Sequence, residues 1–374
     1  MYVAIFGSQQ RLSYAELKRV HPESRPYSES TATFNSDPSR NLGGTVKIGK
    51  VLDEVKLKKG ILTELLVSNV EEYIPKTDKK ISIGISVVDG KVNNYKEACF
   101  QIKKKLRRHG YRPRIVLGSN QALTSAQVIH NKLDTPSNTE LLICIGDKSA
   151  LIAKTCWVQD IDSYSKRDMG RPCRDMQTGM LPPKLAQIMI NLAGGEFVYD
   201  PFCGSGVILQ EALLMNKRAG GSDIQEKMIN CTKRNLDWLQ KHYKVNQPEE
   251  LLVEDARKLK LPRQVSTVVT EGYLGPVMHQ QPTLSEARQL AEQSDNLLQE
   301  TLTNIHPQLS QGSILCLAAP SWQVQGRQVT PTVVDDCSEL GYNHLRLEDV
   351  TTADLLYKRK SQYVGRQLIL LERK

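Results

Sequence analysis

The stretch FVYDPFCGSG, Phe197 to Gly206, constrains this chain more than any other. An apolar strand runs into Asp200, a glycine-bearing turn follows, and the pattern restarts as a helix near Val207. Gly204 and Gly206 let the backbone approach a ligand and leave helix N–H groups free to face it. Three further apolar runs end in polar residues. GGSDI ends at Asp223, about twenty residues on, where an acid can hold two ribose hydroxyls. LLVEDARKL ends at Asp255, placed to meet the amino group of an adenine, and VVTEGYLGP runs into Thr270, Glu271, Gly272 and Tyr273. Strands are predicted at 196–200, 220–223, 251–254, 267–270, 313–317, 345–350 and 367–371, with helices between the earlier ones. Such alternation implies a mostly parallel sheet covered on both faces. Its ligands bind at the carboxyl ends of the strands, so four strand ends each offer a polar group to one crevice.

A chain of 374 residues exceeds one ordinary core, which predicts two or three domains. The first segment, 1–75, reads as a small α/β unit. It has a strand over Tyr2 to Phe6 and a helix opening at Ser13, with Glu16 completing a capping box. GGTVKIGKVLDEV then reads as a turn, a strand and the start of a helix. The second segment, 76–161, begins with the alternation of Ile81, Ile83, Ile85 and Val87, a half-buried strand. An amphipathic helix follows from Tyr95 to Arg108, with Ala98, Ile102 and Leu106 on one face. PRIVLG and TELLICIG are strands, and TSAQVIHNKL is a helix capped by Thr124 or Ser125. Residues 162–180 form a polar linker, and 181–374 the last domain, whose first helix starts near Lys184.

The net charge of +9 is compatible with plain solubility or with a polyanionic partner. Its distribution is uneven: KKKLRRHGYRPR, Lys103 to Arg114, holds seven basic residues and no acid. Taken alone, the run also reads as a solvated face near a helix C-terminus. Aromatic residues make up 6%, which disfavours a base-stacking platform. No apolar run approaches bilayer length, so no membrane association is expected. The N-terminus reads as part of the mature fold and not as a signal peptide. The eight cysteines form no C-x-x-C pair and the seven histidines no cluster. No metal site is expected, and the thiols are expected to be reduced, as in a cytosol.

The Asp-Pro-Phe-Cys-Gly-Ser-Gly loop resembles that of class I S-adenosylmethionine-dependent methyltransferases acting on exocyclic amines. RPCRDMQTGMLPPKLAQIMINLA, Arg171 to Ala193, resembles the segment before that loop in the THUMP-domain methyltransferases that make N2-methylguanosine in tRNA. The order of elements in the N-terminal third and the closing YKRKSQYVGRQLILLER are similar to the same group. The resemblance implies an α/β chain with a ferredoxin-like unit, a THUMP module and a Rossmann-like, seven-stranded methyltransferase domain. It implies S-adenosyl-L-methionine as cofactor, held by Asp200, Phe202, Gly204, Gly206, Asp223, Asp255 and Ala256, with Thr178 to Leu181 closing over its methionine part. It further implies a cytoplasmic protein whose partner is tRNA. Contacts to RNA would come from Lys103, Lys104, Lys105, Arg107, Arg108 and Arg112. Arg167, Arg171 and Arg174 of the connector are further candidates, which Asp168 and Asp175 could instead pair with. A small partner subunit is not readable from the sequence.

The fourth strand end departs from the group. An aromatic amine is localised for attack by acceptors on its N–H groups. The group supplies an acid or amide followed by two prolines and an aromatic. Here Tyr273 keeps the stacking position, Thr270 stands at the acid and Glu271 at the first proline. Glu271 can supply a carboxylate one position along, and Thr270 an uncharged acceptor. The expected reaction is methylation of a guanosine 2-amino group. The alternatives are an amine methyltransferase of DNA or rRNA, or an RNA-binding homologue with impaired catalysis.

Overall fold

A computed structural model of the chain describes residues 1–39, 41–57, 61–77, 79–174, 180–359 and 362–374. The chain divides into two units, Met1–Arg40 with Gly44–Ser163, and Asn41–Gly43 with Tyr164–Lys374.

The first unit contains β1 (Tyr2–Phe6), α1 (Gln10–Val20), β2 (Arg25–Ser28), β3 (Thr31–Phe34), β4 (Thr45–Lys56) and α2 (Ile61–Tyr73). These are followed by β5 (Lys80–Val88), α3 (Tyr95–Arg108), β6 (Arg112–Val116), α4 (Ser125–His130), β7 (Thr139–Ile145) and β8 (Ser149–Val158). Both expected N-terminal segments contribute to one eight-stranded sheet, ordered β2-β3-β1-β4-β8-β7-β5-β6. β5 runs parallel to β6 and β7 and is buried on both faces, not one. α3 spans the predicted residues, buries Ala98, Ile102 and Leu106, and turns its basic face outward. Thr124 caps α4 in a capping box with Gln127.

Two expectations fail here. α1 begins before Ser13, whose Oγ donates to the Gln9 carbonyl four residues back, while Glu16 accepts from the Gly44 N–H. Glu16 therefore ties down a turn and does not cap a helix. The helix expected after GGTVKIGK is the second half of β4, held in the sheet by pairing with β8 as far as Lys56. β4 also carries Lys47 into the interior. Its ammonium pairs with Glu140 and donates to the Leu123 carbonyl. Glu140 takes further bonds from Ser86 Oγ and Thr155 Oγ1, both at 2.6 Å.

The second unit contains α5 (Ile161–Met169), which begins at the boundary, then α6 (Pro183–Ala193), β9 (Phe197–Asp200), α7 (Val207–Leu214), β10 (Arg218–Asp223) and α8 (Glu226–His242). β11 (Glu250–Val253), β12 (Thr267–Glu271), α9 (Leu284–Ile305), β13 (Ile314–Val324), β14 (Arg327–Val329), β15 (Tyr342–His344), β16 (Leu356–Tyr357) and β17 (Val364–Arg373) complete it. The main sheet runs β11-β10-β9-β12-β13-β17-β15, with β14 and β16 attached at its side. The strands from β11 to β13 are parallel, and β17 is antiparallel to both its neighbours. This is the Rossmann-like, seven-stranded arrangement expected.

The strand expected at 345–350 lies earlier, at Tyr342–His344, and a left-handed Asp349 (φ 60°) interrupts the apolar alternation that suggested it. The connector is also more ordered than its composition implies, since α5 fills its first part. The expectation of reduced thiols is overturned at one pair. Cys173 and Cys231 form a disulfide joining the connector to α8, with Cα atoms 5.5 Å apart. Tertiary proximity, invisible in the spacing, brings them together. Among the described residues no helix is long and apolar enough to cross a membrane.

Candidate active site

A cavity of about 370 Å³ lies at the carboxyl ends of β9, β10, β11 and β12. Its lining includes Asp200, Phe202, Gly204, Asp223, Asp255, Ala256, Glu271 and Tyr273. The parallel sheet places these groups together because each β-strand stops as its chain crosses the sheet edge.

The loop after β9 is shaped by its glycines. Gly204 and Gly206 have φ of 51° and 80°, and Gly206 is the residue from which α7 departs. A Cβ on Gly206 would lie 2.7 Å from Thr232 Cγ2, so α8 packs where only glycine fits. Thr232 Oγ1 and Asn235 Nδ2 hold this loop from α8, donating to the carbonyls of Gly204 and Ser205. Asn235 also exchanges bonds with the Cys173 backbone, so one side chain links the cofactor-type loop to the disulfide.

Asp200 is 2% exposed, and its Oδ1 accepts from the Phe202 N–H at 3.0 Å and from Thr270 Oγ1 at 2.5 Å. Burial pushes its carboxyl up to about 7, against the pull of these two donors. Asp223 accepts from the N–H groups of Gly204 and Gln225 at 3.0 and 2.9 Å, and burial raises its carboxyl too. Asp255 has a different setting. Both its oxygens are gripped by Arg257, which holds the carboxyl down at about 2. Arg257 itself lines the cavity, and nothing in the spacing of charges singled it out.

The fourth strand end resolves the two acceptor candidates geometrically. Successive side chains of a strand point to opposite faces. Thr270 is 1% exposed, is absent from the cavity lining and gives its hydroxyl proton to Asp200. Its expected place as an acceptor is therefore corrected: it is a support beneath Asp200. Glu271 does line the cavity. Its Oε1 accepts from Nε of Arg366, a β17 residue 2% exposed, and Oε2 has no hydrogen-bond partner among the described residues. Burial raises the Glu271 carboxyl and Arg366 opposes the rise. Gly272 follows in a tight spot, since a Cβ there would sit 3.1 Å from Leu298 Cδ2. Tyr273 is 45% exposed at the cavity mouth, and Trp322 is buried behind Gly275.

The remaining candidates separate. Lys104, Arg107, Arg108 and Arg112 are exposed, and Lys103 is half-buried. Lys105 is turned back onto α2, where it donates to the Ser68 carbonyl and approaches Glu71 at 3.5 Å, so it is not a free cation. Arg167 pairs with Glu211 through two bonds and not with Asp168. Arg171 is 3% exposed, which removes it from any surface contact with RNA, while Arg174 is exposed. Met180 and Leu181, from the segment expected to close over the cofactor, line the cavity, whereas Thr178 and Asp175 lie outside the described residues.

Residues 171–325 match the model of the RMKL-like methyltransferase domain. A tRNA (guanine(10)-N2)-dimethyltransferase of Methanothermobacter thermautotrophicus is 37% identical over 147 residues, 38% of this chain and 40% of that protein. A protein of the same name from Pyrococcus abyssi is 40% identical over 82 residues, 21% of this chain and 23% of the relative. The matches thus span less than half the length of these curated relatives. The crystal structure of TrmN from Thermus thermophilus superposes with a TM-score of 0.52 at 16% identity, covering 100% of this chain and 99% of that one. That likeness extends the shared fold to both units. By sequence match over residues 171–325 and by sheet order, the second unit is similar to methyltransferase domains of the RMKL-like kind.

Proposed function

We propose that this chain is an S-adenosylmethionine-dependent tRNA methyltransferase that modifies the exocyclic 2-amino group of a guanosine. The observation carrying this reading is Glu271, a half-buried carboxyl group at the fourth strand end that lines the cavity, with one oxygen committed to Arg366 and the other without a partner among the described residues. The names of the relatives at 37% and 40% identity support the choice of base and of tRNA.

The donor set fits the cofactor. Asp223 presents acceptors suited to ribose hydroxyls beside a loop whose backbone can approach closely, and Asp255 and Ala256 bound the far end. S-adenosylmethionine, when bound, supplies an electrophilic methyl group on a sulfonium. The chain's own residues then have defined tasks. Asp200 and Glu271 place negative charge where a cationic ligand is stabilised, in surroundings that exclude water. Oε2 of Glu271 accepts an N–H of the guanine amine and so concentrates its lone pair on nitrogen. Arg366 fixes the carboxyl group and opposes the rise that burial imposes on it. Tyr273 offers its ring to a base taken out of the stack, since an amine paired in a duplex cannot be reached.

The first unit serves, in this reading, as the RNA-binding part, of ferredoxin-like and THUMP kind. The exposed cations Lys104, Arg107, Arg108 and Arg112 supply phosphate contacts. A tRNA substrate places the protein in the cytoplasm, where a disulfide such as Cys173–Cys231 is the exception for most organisms. The test is incubation with bulk tRNA and methyl-labelled cofactor, followed by nucleoside mass spectrometry. A rise in N2-methylguanosine or its dimethyl form is expected. No rise in either overturns the assignment, and label in methyladenosine would redirect it to another amine.

A further inference from the structure

The rim of the cavity is not uniform in charge. At the end that holds Asp223 and Asp255, the segments following β10 and β11 also carry Glu226 and Glu254, and the one cation there, Arg257, is engaged by Asp255. The chain around Glu271 and Tyr273 is different. It comes from three segments, Gly272 to Ser285, Ala318 to Val334 and Leu355 to Leu371, and none of them contains Asp or Glu. Together they hold five basic residues, Arg327, Lys358, Arg359, Lys360 and Arg366. Arg366 is matched by Glu271. Arg327 and Arg359 are exposed and have no acidic partner among the described residues.

Strand register places these two cations. Glu271 ends β12 level with Ala318 of β13, but β13 continues to Val324. Six further residues carry it about 20 Å past the level of Glu271. There it turns through Gln325 and Gly326, both at positive φ, into β14, so Arg327 stands at the tip of a projecting hairpin. Trp322 pairs with β17 on one side and with β14 on the other, so β14 lies beyond the end of β12, above the Tyr273 loop. Gln281 Nε2 ties that loop to the Gln323 carbonyl. On the far side, Pro320 pairs with Arg366 and Arg366 with Tyr357, so the turn carrying Arg359 also starts past the level of Glu271. Arg366 Nη1 donates to Gln362 Oε1 of this turn at 3.4 Å, which connects it to the residue holding Glu271. Two cationic turns therefore project beside the acceptor end of the cavity.

We propose that these two turns form an RNA-contacting surface of the second unit, on which Arg327 and Arg359 hold phosphates of the strand next to the target guanosine. The inference rests on the tRNA reading given above and extends it from α3 to the unit that holds the cavity. A base that leaves its stack stays attached to its backbone, so the neighbouring phosphates must lie close to the cavity mouth. Carboxylates at the Asp223 and Asp255 end repel them, and the acid-free end receives them. Tyr363, in the same turn as Arg359, is 37% exposed and offers a ring to a neighbouring base.

The experiment is binding of bulk tRNA to the full chain, followed by fluorescence anisotropy across a salt series. Arg327→Gln combined with Arg359→Gln should weaken binding roughly tenfold or more at about 0.1 M salt. The slope of log K against log salt should become shallower by about two, one for each lost phosphate contact. S-adenosylhomocysteine affinity should stay at the wild-type value, which reports an intact cavity. Arg234→Gln combined with Lys241→Gln removes the same charge from exposed positions of α8, which packs on β10 and β11 at the other end of the sheet. That pair should leave the slope close to the wild type's. An unchanged slope in the first double variant overturns the proposal. So does an equal change in the second, which would make the effect one of net charge alone. Failure of the wild type to bind tRNA overturns the tRNA reading itself, and this inference with it.

Discussion

Two carboxylate–cation pairs, one in each unit, differ in a way that separates structure from chemistry. Glu140 in the first unit is 0% exposed and saturated, with Lys47 and Ser86 on one oxygen and Thr155 on the other. Glu271 in the second unit has Arg366 on one oxygen and a cavity in front of the other. Both pairs carry a desolvation cost that the partner offsets. A saturated pair can do nothing but hold strands β4, β7 and β8 in register. An unsaturated one leaves a carboxyl oxygen open to the cavity. The open valence, not burial or charge as such, sets Glu271 apart from Glu140.

Substitutions can break this contrast. Glu140→Ala leaves Lys47 buried and unpaired, and should lower stability by about 3–5 kcal/mol in denaturant titration. S-adenosylhomocysteine binding should persist in the folded fraction. A loss under about 1 kcal/mol would remove the structural role given to this pair. Glu271→Gln keeps the shape but weakens the acceptor. Turnover on tRNA should fall by about 10²–10³-fold with little change in cofactor affinity. Equal turnover would show that the amine meets another oxygen.

Asp200 sharpens the comparison with a pH axis. Its folded-state value of about 7 exceeds the ordinary 3.8, so the folded chain holds this proton more tightly than the unfolded one. Below about pH 4 both states are protonated and the residue contributes nothing. Its cost grows as pH rises towards about 7 and is complete above it. Asp200→Asn should therefore stabilise the ligand-free chain, by an amount that increases from about pH 4 to about pH 7 and then levels off in thermal melts. A pH-independent difference contradicts the raised value. In the wild type, cofactor binding near pH 7 should release a proton, visible as a dependence of calorimetric heat on buffer ionisation. The smallest effect is expected on the surface. Neutralising Lys104, Arg107 and Arg108 together should weaken tRNA binding. The slope of log K against log salt should become shallower by about one for each phosphate that no longer meets a cation. An unchanged slope returns these residues to a solvated face.

The ladder of strand ends was legible in the sequence because each parallel strand is an apolar run stopped by a polar residue, and period and punctuation are local signals. α3 was legible for the same reason, its apolar positions recurring at helical spacing. What escaped is what the third dimension decides. Arg366 lies 95 residues from Glu271 in sequence, and only the antiparallel pairing of β17 with β13 brings it near. Thr270 and Glu271 could not be told apart by composition, since strand alternation decides which enters the cavity. Ser13 and Glu16 have the spacing of a cap, but the helix starts a turn earlier and uses them differently.

The Cys173–Cys231 disulfide has a consequence for how the molecule unfolds. It closes a covalent ring of sequence separation 58 that includes α6, β9, α7 and β10, and so encloses the loop around Asp200. A ring of that size restricts the unfolded chain by about 4 kcal/mol on a chain-entropy estimate. Oxidised and reduced chains are therefore two thermodynamic species with the same contacts. A preparation made with a reducing agent would report the weaker of the two, and its heat lability would originate in the looseness of the denatured ensemble.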